Sequence, residues 1–86
     1  MNKKNEGEVV EKDLIEYIAK TLVDDPSSVS VNCIAGERST IFELKVAQGD
    51  IGKVVGKHGR IVMAIRTVLS AAAAKTNKRI ILEILD

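Results

Sequence analysis

Ile51-Gly52-Lys53-Val54-Val55-Gly56-Lys57-His58-Gly59-Arg60-Ile61 is the stretch on which the reading of this 86-residue chain turns. Gly56 and Gly59 bracket two residues able to carry positive charge, and apolar runs lie on both sides. Glycine supplies backbone angles that other residues adopt only with strain, so the four residues read as a sharp turn between two helices. With no side chain at either corner, an anion can come close to the main chain. A helix starting at Arg60 directs its first N–H groups and its positive dipole end to the same place. Lys57 and Arg60 add two full charges, and His58 adds a hydrogen-bond donor. Ile51, Val54, Val55 and Ile61 offer apolar surface beside the turn. A polymeric phosphate fits such a site. The plainer alternative is a helical corner, with Val54, Val55 and Ile61 in the core and His58 merely exposed.

Charge outside the turn agrees with the anionic reading. From Ile51 to Arg79 the basic residues are Lys53, Lys57, Arg60, Arg66, Lys75, Lys78 and Arg79, with no Asp or Glu among them. Residues 1–50 carry a formal charge of −4 and residues 51–86 carry +5, giving the net +1 of the chain. One end of the molecule therefore repels phosphate while the other attracts it. Lysines and arginines that only solvate a helix would leave the same trace, so the glycines carry the argument.

Composition narrows the class. A chain of this length has room for one modest core, and 45 % hydrophobic with 29 % charged residues fits a globular domain rather than a disordered one. No apolar run approaches the ~20 residues that cross a bilayer. Met1-Asn2-Lys3-Lys4-Asn5-Glu6-Gly7-Glu8 has no apolar segment after its lysines and does not read as a secretory signal. Cys33 is the sole cysteine, which rules out an internal disulfide and a cysteine-based zinc site. A cytoplasmic protein without membrane contact is the expectation.

Residues 1–8 are expected to be a flexible, polar lead, and residues 9–86 one domain. Val10, Leu14, Ile18 and Leu22 recur every four residues, flanked by Ile15 and Tyr17, and predict an amphipathic helix starting near residues 8–11. Pro26 ends it by Asp24. Val29 to Cys33 alternates polar and apolar residues as a short strand, with Cys33 a buried small hydrophobe. A turn from Ala35 to Ser39 leads into a second strand, Thr40 to Ala47, whose Phe42, Leu44 and Val46 face inward. Asp50 stands at the N-cap of a short helix, Ile51 to Val55. A longer helix runs from Arg60 to about Lys75, with Ile61, Ile65, Val68, Leu69 and Ala72 as its core stripe. Asn77 suits a left-handed cap, and Arg79 to Leu85 is a last strand. The strands form an antiparallel hairpin and then, across a helical crossover, a parallel pair. The expected fold is α+β, ordered α-β-β-α-α-β, a three-stranded mixed sheet with helices packed on one face.

Rival motifs fail on spacing. A phosphate loop of the Gly-x-x-x-x-Gly-Lys-Ser/Thr kind needs four residues between its glycines, whereas Gly52 and Gly56 enclose three and His58 follows the lysine. The dinucleotide fingerprint lacks its first glycine pair. Gly49-Asp50-Ile51-Gly52 is a second Gly-x-x-Gly, but an acidic residue sits inside it, so Gly52 reads as a site of close packing or backbone approach. His58, the one histidine, has no local carboxylate to form an acid–base pair, and one histidine does not make a metal site. Neither an enzyme, a metal nor a cofactor is expected.

The quoted stretch resembles the signature of KH domains, in which a Gly-x-x-Gly loop joins two helices. The element order is similar to the prokaryotic, type II arrangement. The single-domain length, the Asp24-Asp25-Pro26 helix exit and the closing strand resemble the small bacterial KhpA family, over about residues 8–85. The resemblance implies single-stranded RNA, or alternatively DNA, held in a groove of about four nucleotides. By position it makes Gly56, Lys57, His58 and Gly59 the backbone clamp, with Lys53, Val54, Val55, Arg60 and Ile61 flanking the groove. The turn carrying Gly36 and Arg38 becomes the variable loop opposite. Tyr17 and Phe42 are the only aromatics, which argues against a stacking platform.

A four-nucleotide footprint binds weakly, and the resemblance implies a partner, as a homodimer or with a larger KH-containing protein, so that avidity raises affinity. The function implied is RNA regulation or RNA chaperoning; the alternative is a dimerising adaptor in cell-envelope or division control. On the long helix Met63 falls roughly opposite the core stripe beside Arg66, Thr67 and Ser70, with Val62 at the stripe's edge, and these residues mark a candidate partner surface.

Overall fold

Alternating apolar and polar residues from Thr40 to Val46 build the centre of the fold. The computed structural model describes residues 6–74 and 77–85. Strand β2, Ser39–Lys45, sits between β1, Ser30–Ala35, and β3, Arg79–Leu85. It pairs antiparallel with β1 in the register Cys33 to Phe42 and parallel with β3 in the register Phe42 to Leu82. Helix α1 spans Glu6–Leu22, α2 Ile51–Val55 and α3 Arg60–Ala73. This is the expected α+β order and mixed sheet, and the helices cover one sheet face. Phe42 and Leu44 from β2, Leu82 from β3, Ile15 from α1, Val54 from α2 and Leu69 from α3 meet in the core. Each is 2 % exposed or less, so the small domain has one continuous apolar centre.

Helix α1 starts at Glu6, ahead of the expected start at residues 8–11, and residues 1–5 lie outside the described residues. The face it buries is also turned. Ile15, Ala19 and Val23 are buried together with Glu11, whereas Val10 is 66 % and Tyr17 72 % exposed. Two adjacent i, i+4 rows on α1 are nearly equal in apolar content. The row with Ala19 wins because a methyl side chain lets the helix axis approach the sheet, and Glu11 disguises that row in the sequence.

Helix α3 shows the same rotation. Val62, Ile65, Leu69 and Ala73 are buried, Ile61 is half-buried, Val68 is 49 % exposed and Ala72 is exposed. Val62 is thus core, not the edge of a partner surface, while Met63 is exposed as expected. The entry to α3 decides this rotation. Ile61 is drawn against Gly56, which swings Val62 inward.

Asp50 occupies the N-cap position of α2, but its carboxylate makes no capping bond there. Instead it accepts the N–H of Asp25 at 3.1 Å, fastening the exit of α1 to the base of α2. Asp25 in turn accepts from the hydroxyls of Ser27 and Ser28 in the 3₁₀ turn Pro26–Ser28. Asn77 takes the left-handed φ of 58° expected of its turn, and the helix end expected near Lys75 falls at Ala73, with Lys75 itself outside the described residues.

Candidate nucleic-acid interface

Helix α2 stops because Gly56 leaves helical space, at φ 81° and ψ 167°, a region open in practice only to glycine. A Cβ there would lie 2.5 Å from Cγ1 and 2.9 Å from the backbone N of Ile61. Gly56 is therefore required twice over, by its angles and by its neighbour. Lys57, His58 and Gly59 make one 3₁₀ turn, in which His58 (φ 58°) and Gly59 (φ 73°) are both left-handed. Nothing crowds Gly59, where a Cβ would meet only Val62 at 4.0 Å.

The turn spends part of its hydrogen-bonding capacity on itself. The Gly59 N–H donates to the Gly56 carbonyl at 3.0 Å, and the Arg60 N–H donates to the Lys57 carbonyl. Among the described residues the amides of Lys57 and His58 have no such acceptor, so these two are open to a ligand. The side chains of Lys57, His58 and Arg60 are exposed and carry no ion pair among the described residues. Val55, Ile51 and Ile61 are half-buried beside them and keep some apolar surface accessible.

Two of the residues expected to flank a groove are placed otherwise. Val54 is 0 % exposed and belongs to the core, where it anchors α2 and has no surface to offer. Lys53 points back toward the exit of α1, with its ammonium 3.3 Å from Asp24 and 3.5 Å from Asp50. The hydrogen bond and charge of Asp24, joined by those of Asp50, hold its proton more tightly than an ordinary lysine's. Burial pushes the Asp50 carboxyl up, but the backbone N–H groups of Asp25 and Asp24 and the Lys53 charge outweigh it and leave Asp50 below the usual carboxylate range. Two carboxylates, those of Asp24 and Asp50, therefore stand beside Lys53, and the uniform basic run of the sequence is locally neutralised.

Gly36 and Arg38 lie away from the glycine loop. They precede β2, whereas α2 follows it, so about 20 Å of strand separates the two groups. Gly36 is held tightly, its N–H donating to the Ser39 carbonyl at 2.8 Å, and Arg38 is exposed. The Arg79 N–H donates to the Arg38 carbonyl at 2.9 Å, which brings a second exposed arginine to that end. Arg66 reaches from α3 to the free edge of β3 and donates to the Leu82 carbonyl from Nη2 at 2.9 Å and Nε at 3.3 Å. Arg79 did not stand out as a site residue in the sequence and Arg66 only as part of a candidate partner surface, because the β2–β3 register and the α3–β3 packing that place them are tertiary.

Gly52 is exposed on α2 and has no atom within 4 Å of a Cβ position. It serves no close packing inside the chain, contrary to that part of the expectation. Among the described residues no group of three or more His, Cys, Asp or Glu could hold a metal ion, and no helix is long and apolar enough to cross a membrane.

The sequence model of the family described as KhpA/KhpB, KH domain, matches residues 12–84. The chain is similar to proteins named RNA-binding protein KhpA. That of Borreliella burgdorferi is 59 % identical over 88 % of this chain and 93 % of the relative. That of Clostridium acetobutylicum is 60 % identical over 86 % of this chain and 99 % of the relative, and that of Aquifex aeolicus 48 % over 87 % and 95 %. With the glycine turn between α2 and α3 and the mixed sheet in place, this chain belongs to the KhpA/KhpB family of KH domains.

Proposed function

We propose that the chain binds short single-stranded RNA, with the Gly56–Gly59 turn clamping the sugar-phosphate backbone. The observation that carries this reading is the left-handed turn whose Lys57 and His58 amides lack internal acceptors while the Lys57, His58 and Arg60 side chains stand exposed around it. The names of the relatives point the same way. RNA rather than DNA follows from those names; the turn itself recognises what both share. Val55 and Ile61 supply the apolar wall on which unstacked bases lie, and Gly36 and Arg38 bound the far end of the track. The role is binding rather than catalysis, exercised in the cytoplasm as post-transcriptional regulation or RNA chaperoning. A single short track is weak, so the chain acts with a partner, a second copy or a larger KH-containing protein, and gains affinity by avidity.

The test is a double charge reversal, Lys57→Asp with His58→Asp. Both side chains are exposed, so the fold survives and circular dichroism and the melting temperature stay close to those of the wild type. Fluorescence anisotropy with labelled single-stranded RNA is expected to lose binding. Undiminished affinity would refute the reading.

A further inference from the structure

Strand β3 is an edge of the sheet, and Arg66 crosses from α3 to the side of that strand turned away from β2. Its Nε–H and one Nη2 hydrogen both go to the Leu82 carbonyl, at 3.3 and 2.9 Å. Those two donors make up one edge of the planar guanidinium. The next edge, formed by Nη1 and the second Nη2 hydrogen, meets no acceptor among the described residues, and no carboxylate there pairs with this exposed group. A guanidinium offers donors only. Arg66 is thus a donor fork fixed from behind and open in front. Its place agrees with its shape. Helix α3 leads away from the glycine turn and sets Arg66 about 9 Å along its axis from Arg60. Strand β3 returns, and Arg79, whose N–H binds the Arg38 carbonyl, precedes Leu82 by about 10 Å. Arg66 therefore stands between the proposed backbone clamp and the far end of the track.

We propose that Arg66 is the specificity-determining residue of this track and reads a base with two adjacent hydrogen-bond acceptors, guanine at O6 and N7 or cytosine at O2 and N3. The proposal rests on the RNA reading and deepens it from a backbone grip to a choice of base. Unstacked bases in a single strand expose their Watson–Crick and Hoogsteen edges. Guanine O6 and N7 take both arms of an arginine fork, and cytosine O2 and N3 present the same adjacent pair. Adenine sets its N6 amine beside N7, and uracil sets an N3–H between its two carbonyls. Neither can accept both arms. The Leu82 carbonyl matters because it holds the guanidinium plane still before a base arrives, so less ordering is left to do on binding. Two acceptors in one ring plane match two donors in one fixed plane, whereas a phosphate is met as well by a flexible ammonium and is the same on every nucleotide.

Anisotropy titrations of the full chain test this with labelled uridine decamers, one plain and the others carrying two central guanosines, cytidines or adenosines. The wild type is expected to bind the guanosine or the cytidine decamer about tenfold more tightly than the adenosine and plain ones. Arg66→Lys keeps the charge and loses the planar fork, so the preference should vanish while binding of the plain decamer persists. A second measurement leaves the protein untouched: 7-deazaguanosine or 3-deazacytidine, each lacking one ring acceptor, should cost the wild type the same factor at its preferred base. Equal affinity for all four decamers, or a preference for adenosine or uridine, overturns the proposal. So does a preference that survives either Arg66→Lys or the deaza base. A uniform loss on all four decamers in Arg66→Lys, with a flatter salt dependence, makes Arg66 a phosphate contact and overturns it as well. In those cases the RNA reading stands. A wild-type chain that binds none of the decamers overturns that reading and this one together.

Discussion

The side chain of Ile61 occupies the space that a Cβ on Gly56 would need, with Cγ1 only 2.5 Å from that position. The contact joins the end of α2 to the first turn of α3 and fixes both the glycine corner and the rotation of α3. Gly56→Ala must therefore bear an unfavourable backbone region and a clash with main-chain N as well as side chain, together roughly 3 kcal/mol. Gly59→Ala bears only a left-handed φ in open space, about 1 kcal/mol. Chemical denaturation of the two variants should show this order, and equal losses would mean that the Ile61 contact relaxes freely.

Gly52 gives the opposite sign. An exposed glycine inside a helix costs about 1 kcal/mol against alanine, and its Cβ would meet nothing within 4 Å. Gly52→Ala should raise the unfolding free energy by ~0.5–1 kcal/mol. If RNA passes over this turn of α2, the same variant binds RNA more weakly although it is more stable. Unchanged affinity would place the track elsewhere on the loop.

Lys53 and Lys57 are both exposed lysines in the basic run but differ in what they face. Each phosphate neutralised on a single strand contributes about −0.7 to the slope of log affinity against log salt. Lys57→Ala should flatten that slope by about one such step. Lys53→Ala should leave it unchanged, since Asp24 and Asp50 already balance its charge. Reversed results would show that Lys53 leaves its carboxylates on binding.

Asp50 makes stability pH-dependent in acid. Its carboxyl is held below the usual range when folded, so its contribution is complete above the ordinary carboxylate pKa of about 3.9 and is lost as pH falls through the lower folded value. Thermal melts of the wild type should drop across that acidic window. Asp50→Asn, which removes the charge beside Lys53, should melt lower at neutral pH and change less below pH ~4. An identical acid profile would assign the titration to other groups, such as Asp25, whose carboxyl the hydroxyls of Ser27 and Ser28 also depress.

Thr40 is 1 % exposed in the core, and its Oγ1 has no hydrogen-bond partner among the described residues. Valine keeps the shape and removes the stranded hydroxyl. Thr40→Val should be neutral or stabilising by about 1 kcal/mol in urea unfolding. A clear loss would indicate a water bound at that hydroxyl.

Element order, the hairpin, the parallel crossover and the glycine corner could all be read from the sequence, because each rests on local signals: alternation, a proline stop, paired glycines. The faces of α1 and α3 could not be read as well. Periodicity defines an apolar arc but not its centre, and Ala19 on one helix and the Ile61–Gly56 contact on the other chose between neighbouring rows. The same limit explains the site. Lys57, His58 and Arg60 stand exposed around the turn and Gly59 is half-buried, while Val54 went to the core and Lys53 to a carboxylate that lies 29 residues earlier in the chain, Asp24. Asp50 looked like a cap because only its own helix was visible; its true acceptor role involves Asp25, across the fold.

His58 holds a left-handed backbone that glycine or asparagine would accept more comfortably. Its imidazole is exposed at the corner. Glycine accepts the same left-handed backbone at no cost, so His58→Gly would tell how much of any grip on a ligand belongs to that ring and how much to the bare peptide beneath it.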